Sequence, residues 1–201
     1  EALHAVDGEL TGIRYNIERG HLSAIALSTT SYSTGSSVTW IQGKDVEPWE
    51  RPKRLTRVGD LTVEHVMASA ALPLLFPAIS IGDEWFGDGG IRLTAPLSPI
   101  LHLGAKRVFA ISTRRDRSAK EVADSTVRGY PPPAQVAGVL LNSVFLDLLD
   151  NDALRLERLN RLLARLPQGE REGLSPIDLT VLRPSQDLGV LASRFEAQLP
   201  K

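Results

Sequence analysis

Apolar and polar positions along this chain change period several times, and each change predicts an element. Leu10, Ile13 and Ile17 recur at helical spacing, which predicts a short helix ending near Gly20, after a loop at Asp7-Gly8-Glu9. Residues 22–30, rich in small and apolar side chains, predict a buried strand. Residues 37–41 predict a second strand, and the turn residues Ser33-Thr34-Gly35 make the two a hairpin. Residues 43–60 are polar and contain Pro48 and Pro52, which predicts a loop. Thr62 then reads as an N-cap with Glu64 in the first turn, opening a helix whose core face is Val63, Val66, Met67 and Ala70 and which Pro73 ends. The small run Ala68-Ser69-Ala70-Ala71 suits close packing of that helix on a sheet. Residues 79–81 and 84–86 bracket Gly82-Asp83 and predict a second hairpin.

The second half of the chain predicts a helix over 94–102, with Pro96 near its start and Gly104 as its stop, then a strand over 107–112. Residues 114–134 are charged, lack a buried pattern and end in three prolines, which predicts a mobile surface loop. A long helical stretch follows over 135–166, with a break expected near Asp150-Asn151-Asp152, since those residues favour caps and turns. Arg155, Arg158, Arg161 and Arg165 line its outer face. Such a face is a solvated helix surface in the plain reading and a contact for anionic lipid heads in the other. Residues 177–182 alternate as a strand, and residues 187–198 predict a last short helix.

Composition narrows the function classes. The 201 residues carry 23 Lys plus Arg against 24 Asp plus Glu, so net charge gives no reason to expect a nucleic-acid partner. There is no cysteine, hence neither a disulfide frame nor a thiolate metal site. No apolar run approaches the ~20 residues of a membrane-spanning helix. The four histidines are His4, His21, His65 and His102; none forms a ligand pair at helical spacing, and each is expected in a structural or surface role. The reading includes no metal and no cofactor.

The candidate chemistry lies in Glu84-Trp85-Phe86-Gly87-Asp88-Gly89-Gly90. One carboxylate sits among three glycines, between the apolar segments 72–77 and 96–101. Glycine serves where φ must be positive or where another backbone comes close. A carboxylate on such a turn suits a general base or a metal ligand, and an ordinary Asp-Gly turn is the plain alternative. Asp83, Glu84 and Asp88 could in principle share a cation, but Asp83 lies at the hairpin tip, which argues against it. The Ser and Thr residues between 28 and 37 sit at strand ends and turns, not on a strand-to-helix elbow.

Read in order, Ala68-Ser69-Ala70-Ala71-Leu72-Pro73-Leu74-Leu75-Phe76-Pro77, then Trp85 to Gly90, then Ala95-Pro96-Leu97-Ser98-Pro99 and His102-Leu103-Gly104-Ala105 resemble the patatin-like phospholipase family. The resemblance continues through Asn142-Ser143-Val144-Phe145-Leu146-Asp147. It implies a three-layer α/β/α sheet and a serine lipid acyl hydrolase working with a Ser-Asp dyad. Asp88 would then be the catalytic aspartate, on a turn supported by Gly87, Gly89 and Gly90. The substrate would be a lipid or phospholipid acyl ester, the location cytoplasmic or at a membrane surface through peripheral contact.

One departure matters. The family's nucleophile stands in a Gly-x-Ser-x-Gly elbow, N-terminal to the aspartate, after a glycine-rich oxyanion loop. Neither occurs here; the nearest run, Gly35-Ser36-Ser37-Val38-Thr39, lacks the closing glycine. The expectation is therefore that residues 1–201 are the C-terminal part of one such domain, that the chain opens in a helix already beyond the elbow, that the sheet is incomplete, and that this chain alone is inactive. The alternative is a non-catalytic lipid-binding or scaffold module that keeps the fold.

Overall fold

The computed structural model describes residues 5–6, 8–93, 95–115, 130–131, 133, 136, 138–140, 143, 148–186 and 191, with the backbone alone at 5–6. The chain is mixed α/β and divides after Gly104 into two compact units.

In the first unit, β1 (Ala5–Val6) pairs antiparallel with β2 (Glu9–Leu10), and α1 (Thr11–Glu18) follows directly. The opening of the described chain is thus extended rather than helical. The Gly8 turn, at φ +83°, lets the two short strands face each other.

A five-stranded sheet forms the centre of this unit. It contains β3 (Ala24–Ser31), β4 (Ser37–Gly43), β5 (Arg54–Val58), β6 (Ile79–Ile81) and β7 (Glu84–Asp88), in the order β5-β4-β3-β7-β6. Both expected hairpins are present, and β7 completes the sheet by pairing antiparallel with β3. The turn glycines Gly35 and Gly82 both have positive φ. The loop expected over 43–60 is only partly a loop, because residues 54–58 form β5. This strand runs parallel to β4, with Val38 opposite Leu55 and Ile41 opposite Val58.

Helix α2 (Val63–Ser69) starts at Thr62, as its sequence indicates, and ends at Ser69, before Pro73. Its buried face is not the expected one. His65 and Ala68 are buried, whereas Val66, Met67 and Ala70 are exposed. Ala68 packs with Val38 and Phe86 in one cluster, flanked by Trp40, Leu55, Ile79 and Ile81. A side chain no larger than alanine brings the helix close to the sheet. A second cluster of Leu10, Ile13 and Leu61 gathers Ile25, Leu27 and Trp40, so Trp40 borders both. A 3₁₀ turn (Gly89–Ile91) follows β7. Helix α3 (Ser98–His102) is shorter than the helix expected over 94–102; Thr94 lies outside the described residues, and Gly104 stops the chain at φ +84°.

The second unit holds β8 (Arg107–Ile111), α4 (Leu148–Leu163) and β9 (Asp178–Leu182). β8 and β9 are parallel, as a strand–helix–strand crossover requires. The Asn160 amide clasps both backbone groups of Ile177, at 2.7 Å to its carbonyl and 3.0 Å from its N–H. Arg183 meets Asp150 at 2.5 Å. The two ties hold the helix against opposite ends of β9. Residues 150–152 are helical, with Asp150 in the first turn of α4, where a carboxylate suits the helix dipole. Arg155, Arg158, Arg161 and Arg165 are all exposed, as expected. Most of the loop expected over 114–134 (residues 116–129), Asn142, residues 144–147 and all of the last predicted helix except Leu191 lie outside the described residues.

Candidate functional site

Asp88 is the last residue of β7, where the sheet gives way to the 3₁₀ turn. Its backbone is fixed on two sides. Its N–H donates to the carbonyl of Ala71, just past α2, at 2.9 Å. Its own carbonyl accepts from the Thr30 hydroxyl on β3, also at 2.9 Å. The side chain caps the turn that follows, with Oδ1 accepting from the Gly90 N–H at 2.7 Å. Among the described residues nothing donates to Oδ2. A carboxylate held through one oxygen, with the other unengaged, can receive a proton without losing its anchor.

The carboxyl is partly buried, and that burial pushes its pKa above the ordinary carboxylate value; the Gly90 hydrogen bond works against the shift without cancelling it. A raised pKa makes Asp88 a stronger proton acceptor than an exposed aspartate would be.

Of the two reasons that glycine serves at such a turn, the structure shows close approach and not positive φ. Neither Gly89 nor Gly90 lies in the left-handed region. Their surroundings supply the reason at two positions. A Cβ on Gly89 would stand 2.4 Å from the Ser28 carbonyl oxygen, so the turn lies against the backbone of β3. A Cβ on Gly87 would stand 2.2 Å from the Tyr32 hydroxyl. Close approach, not backbone handedness, requires glycine here.

Three β3 hydroxyls near this turn, those of Thr29, Thr30 and Ser31, are engaged in holding the sheet. Thr29 Oγ1 accepts from the Trp40 indole N–H at 2.8 Å, and Ser31 Oγ accepts from the Thr34 N–H at 3.2 Å. Together with Thr30, they take the roles in strand and turn that the sequence assigns them. The acidic residues do not gather either. Asp83 is exposed at its hairpin tip, and Glu84 pairs with Arg57 at 2.6 Å. Arg57 in turn lies over the rings of Trp40 and Phe86. Among the described residues no group of three or more His, Asp or Glu side chains is placed to hold a metal ion.

Of the histidines, His4 lies outside the described residues and His21 is exposed. His65 is structural: Nδ1 accepts from the Thr62 N–H at 3.1 Å, and the ring stands edge-on to Trp40. Burial lowers its pKa. His102 stacks on Trp49, and its pKa is lowered by burial first and then by Arg51 and Arg54.

Sequence reasoning missed two parts of this site, the Ala71 carbonyl and the Thr30 hydroxyl. Neither has a motif, since each acts through strand register or a helix end. Residues 24–101 match the family model described as patatin-like phospholipase, a family of lipid hydrolases. The match spans the five-stranded sheet, α2 and the Asp88 turn, and ends before residues 142–147. No curated protein and no solved structure matches the chain.

Proposed function

From the match that assigns residues 24–101 to the patatin-like phospholipase family, we propose that this chain is the aspartate-bearing part of a lipid acyl hydrolase. In this reading Asp88 is the general base of a Ser-Asp dyad. The carboxylate takes the serine proton directly as the oxygen attacks the acyl carbonyl, then returns it to the departing alcohol. The serine and the oxyanion donors come from outside these 201 residues, because the sequence holds no Gly-x-Ser-x-Gly elbow. Substrates are lipid or phospholipid acyl esters, met in the cytoplasm or at a membrane surface.

The observation that carries this reading is the held carboxylate: Oδ1 tied to the Gly90 N–H, Oδ2 unengaged by any described residue, and the pKa raised by burial.

The test uses the protein extended upstream to include the elbow. Asp88→Asn keeps the side-chain shape and the acceptor for Gly90 but cannot take a proton. It is expected to lower kcat by about 10²–10⁴-fold with KM little changed. The 201-residue chain alone is expected to take no stoichiometric label from a serine-directed fluorophosphonate. Wild-type kcat in a folded Asp88→Asn protein would remove the dyad and leave the non-catalytic lipid-binding module as the better reading.

A further inference from the structure

The loop that joins α2 to β6 presents bare apolar side chains to solvent at its tip. Leu74 is 103% exposed, Leu75 64% and Phe76 58%. Leu74 also has φ +68°, a left-handed conformation that a bulky side chain adopts at a cost. Nothing its side chain touches offsets that cost. From residue 66 through residue 82 no side chain carries a formal charge, and the exposed Val66 and Met67 of α2 extend the same uncharged stretch. The root of the loop is joined to the site, since the Ala71 carbonyl accepts from the Asp88 N–H.

We propose that residues 72–77 form a lipid-surface contact, in which Leu74, Leu75 and Phe76 enter the acyl region of a zwitterionic phospholipid bilayer and set the Ala71–Asp88 junction at the interface. This rests on the lipid-hydrolase reading, and it names the surface by which that site meets its substrate phase. Size and chemistry favour a bilayer over a protein. A stable protein interface takes roughly 20–30 residues a side, packed against a complementary surface. Three protruding side chains on one tip cannot supply that area, but partition into hydrocarbon needs only transfer of apolar area and no matching shape. The absence of charge over the whole stretch suits a surface without net charge. It sets this contact apart from the exposed arginines of α4, which would require anionic lipid and would release in salt.

The test is flotation of the full chain with phosphatidylcholine vesicles, which reads binding without turnover. The chain is expected to float with these vesicles and to stay bound at high salt. Leu74→Asn is expected to weaken binding by about 10-fold, as loss of one apolar anchor implies. Asn tolerates left-handed φ better than Leu, so the same variant should melt no lower than wild type. Phe76→Ser, at a position without positive φ, should weaken binding similarly. With Leu74→Trp, bromine-labelled acyl chains should quench the new indole. The proposal is overturned if both anchor variants bind as wild type does. It is also overturned if binding needs phosphatidylserine and is lost in salt, or if the new indole is buried without vesicles through contact with a second copy. A folded Asp88→Asn protein that keeps its kcat would remove the dyad while leaving vesicle binding intact, so the two readings fail separately.

Discussion

At Asp88 the direction of the pKa shift fixes how its contribution to stability depends on pH. A carboxyl whose folded pKa lies above its unfolded value contributes stability below the unfolded value and loses it as pH rises through the folded value. At neutral pH the ionised Asp88 therefore costs stability. Asp88→Asn should melt at or above the wild-type temperature at pH 7, and the advantage should vanish in acid, below the ordinary carboxylate range. Calorimetry at the two pH values checks this; a lower melting temperature at pH 7 would make Asp88 a stabilising cap instead. His65 has the opposite dependence. Its folded pKa lies below its unfolded value, so its contribution is present above the ordinary histidine value and is lost as pH falls below it. Protonation would put a proton on the nitrogen that accepts the Thr62 N–H. Glutamine at that helix position also accepts from the cap N–H but does not titrate. His65→Gln should thus flatten the stability change over roughly pH 5–7, leaving the part due to His102, which has the same sign. An unchanged pH slope would show that the buried ring does not control it.

Among the elements, those announced by a turn were legible in the sequence and those set by a distant partner were not. The β3–β4 and β6–β7 hairpins follow from Gly35 and Gly82, each at positive φ beside alternating residues. Strand β5 could not be read, because Arg54 and Arg57 break any apolar alternation and its register depends on the parallel neighbour β4. The face of α2 was misread for a related reason. Its valine and methionine look like core, but the ridge formed by Val38, Trp40 and Phe86 admits only Ala68 and the flat edge of His65. The Asp88 turn was legible as a site, but which of the two causes for its glycines applies, positive φ or close approach, was not. Close approach predicts unequal tolerance at the two glycines that flank Asp88. Gly89→Ala drives a methyl into the Ser28 backbone, which cannot swing aside, and should cost about 1–3 kcal/mol as an overpacked core does. Gly87→Ala meets the outer end of the half-exposed Tyr32 ring, which can rotate away, and should cost clearly less. Denaturant midpoints of the two variants decide it; equal losses would restore a conformational cause.

On the scale of the whole chain, the α/β class and the antiparallel directions of the two hairpins were legible, but the pairings of β5 with β4 and of β7 with β3 were not. The five-stranded sheet has three antiparallel pairings and one parallel. The parallel pair β8–β9 stands in the second unit, and there, among the described residues, the alternation leaves one face with exposed apolar side chains. Val108 and Ala110 are buried, while Phe109 is 62% exposed, Ile111 70% and Leu182 52%. Parallel strands occur almost only where both faces are covered, and a patch of this kind on a two-stranded sheet invites contact between copies. The chain is therefore expected to associate as its concentration rises, with the weight-average mass from light scattering climbing above the 21.9 kDa of one copy. Phe109→Thr with Ile111→Thr should hold the mass nearer that of one copy. Threonine keeps strand propensity, and both positions are exposed, so folding should persist. The combination also distinguishes this face from the Leu74 loop: Leu74→Asn should leave self-association unchanged while weakening vesicle binding, and the double threonine variant should do the reverse. A wild-type mass that stays at one copy across the concentration range would show that the exposed β8–β9 face does not drive association.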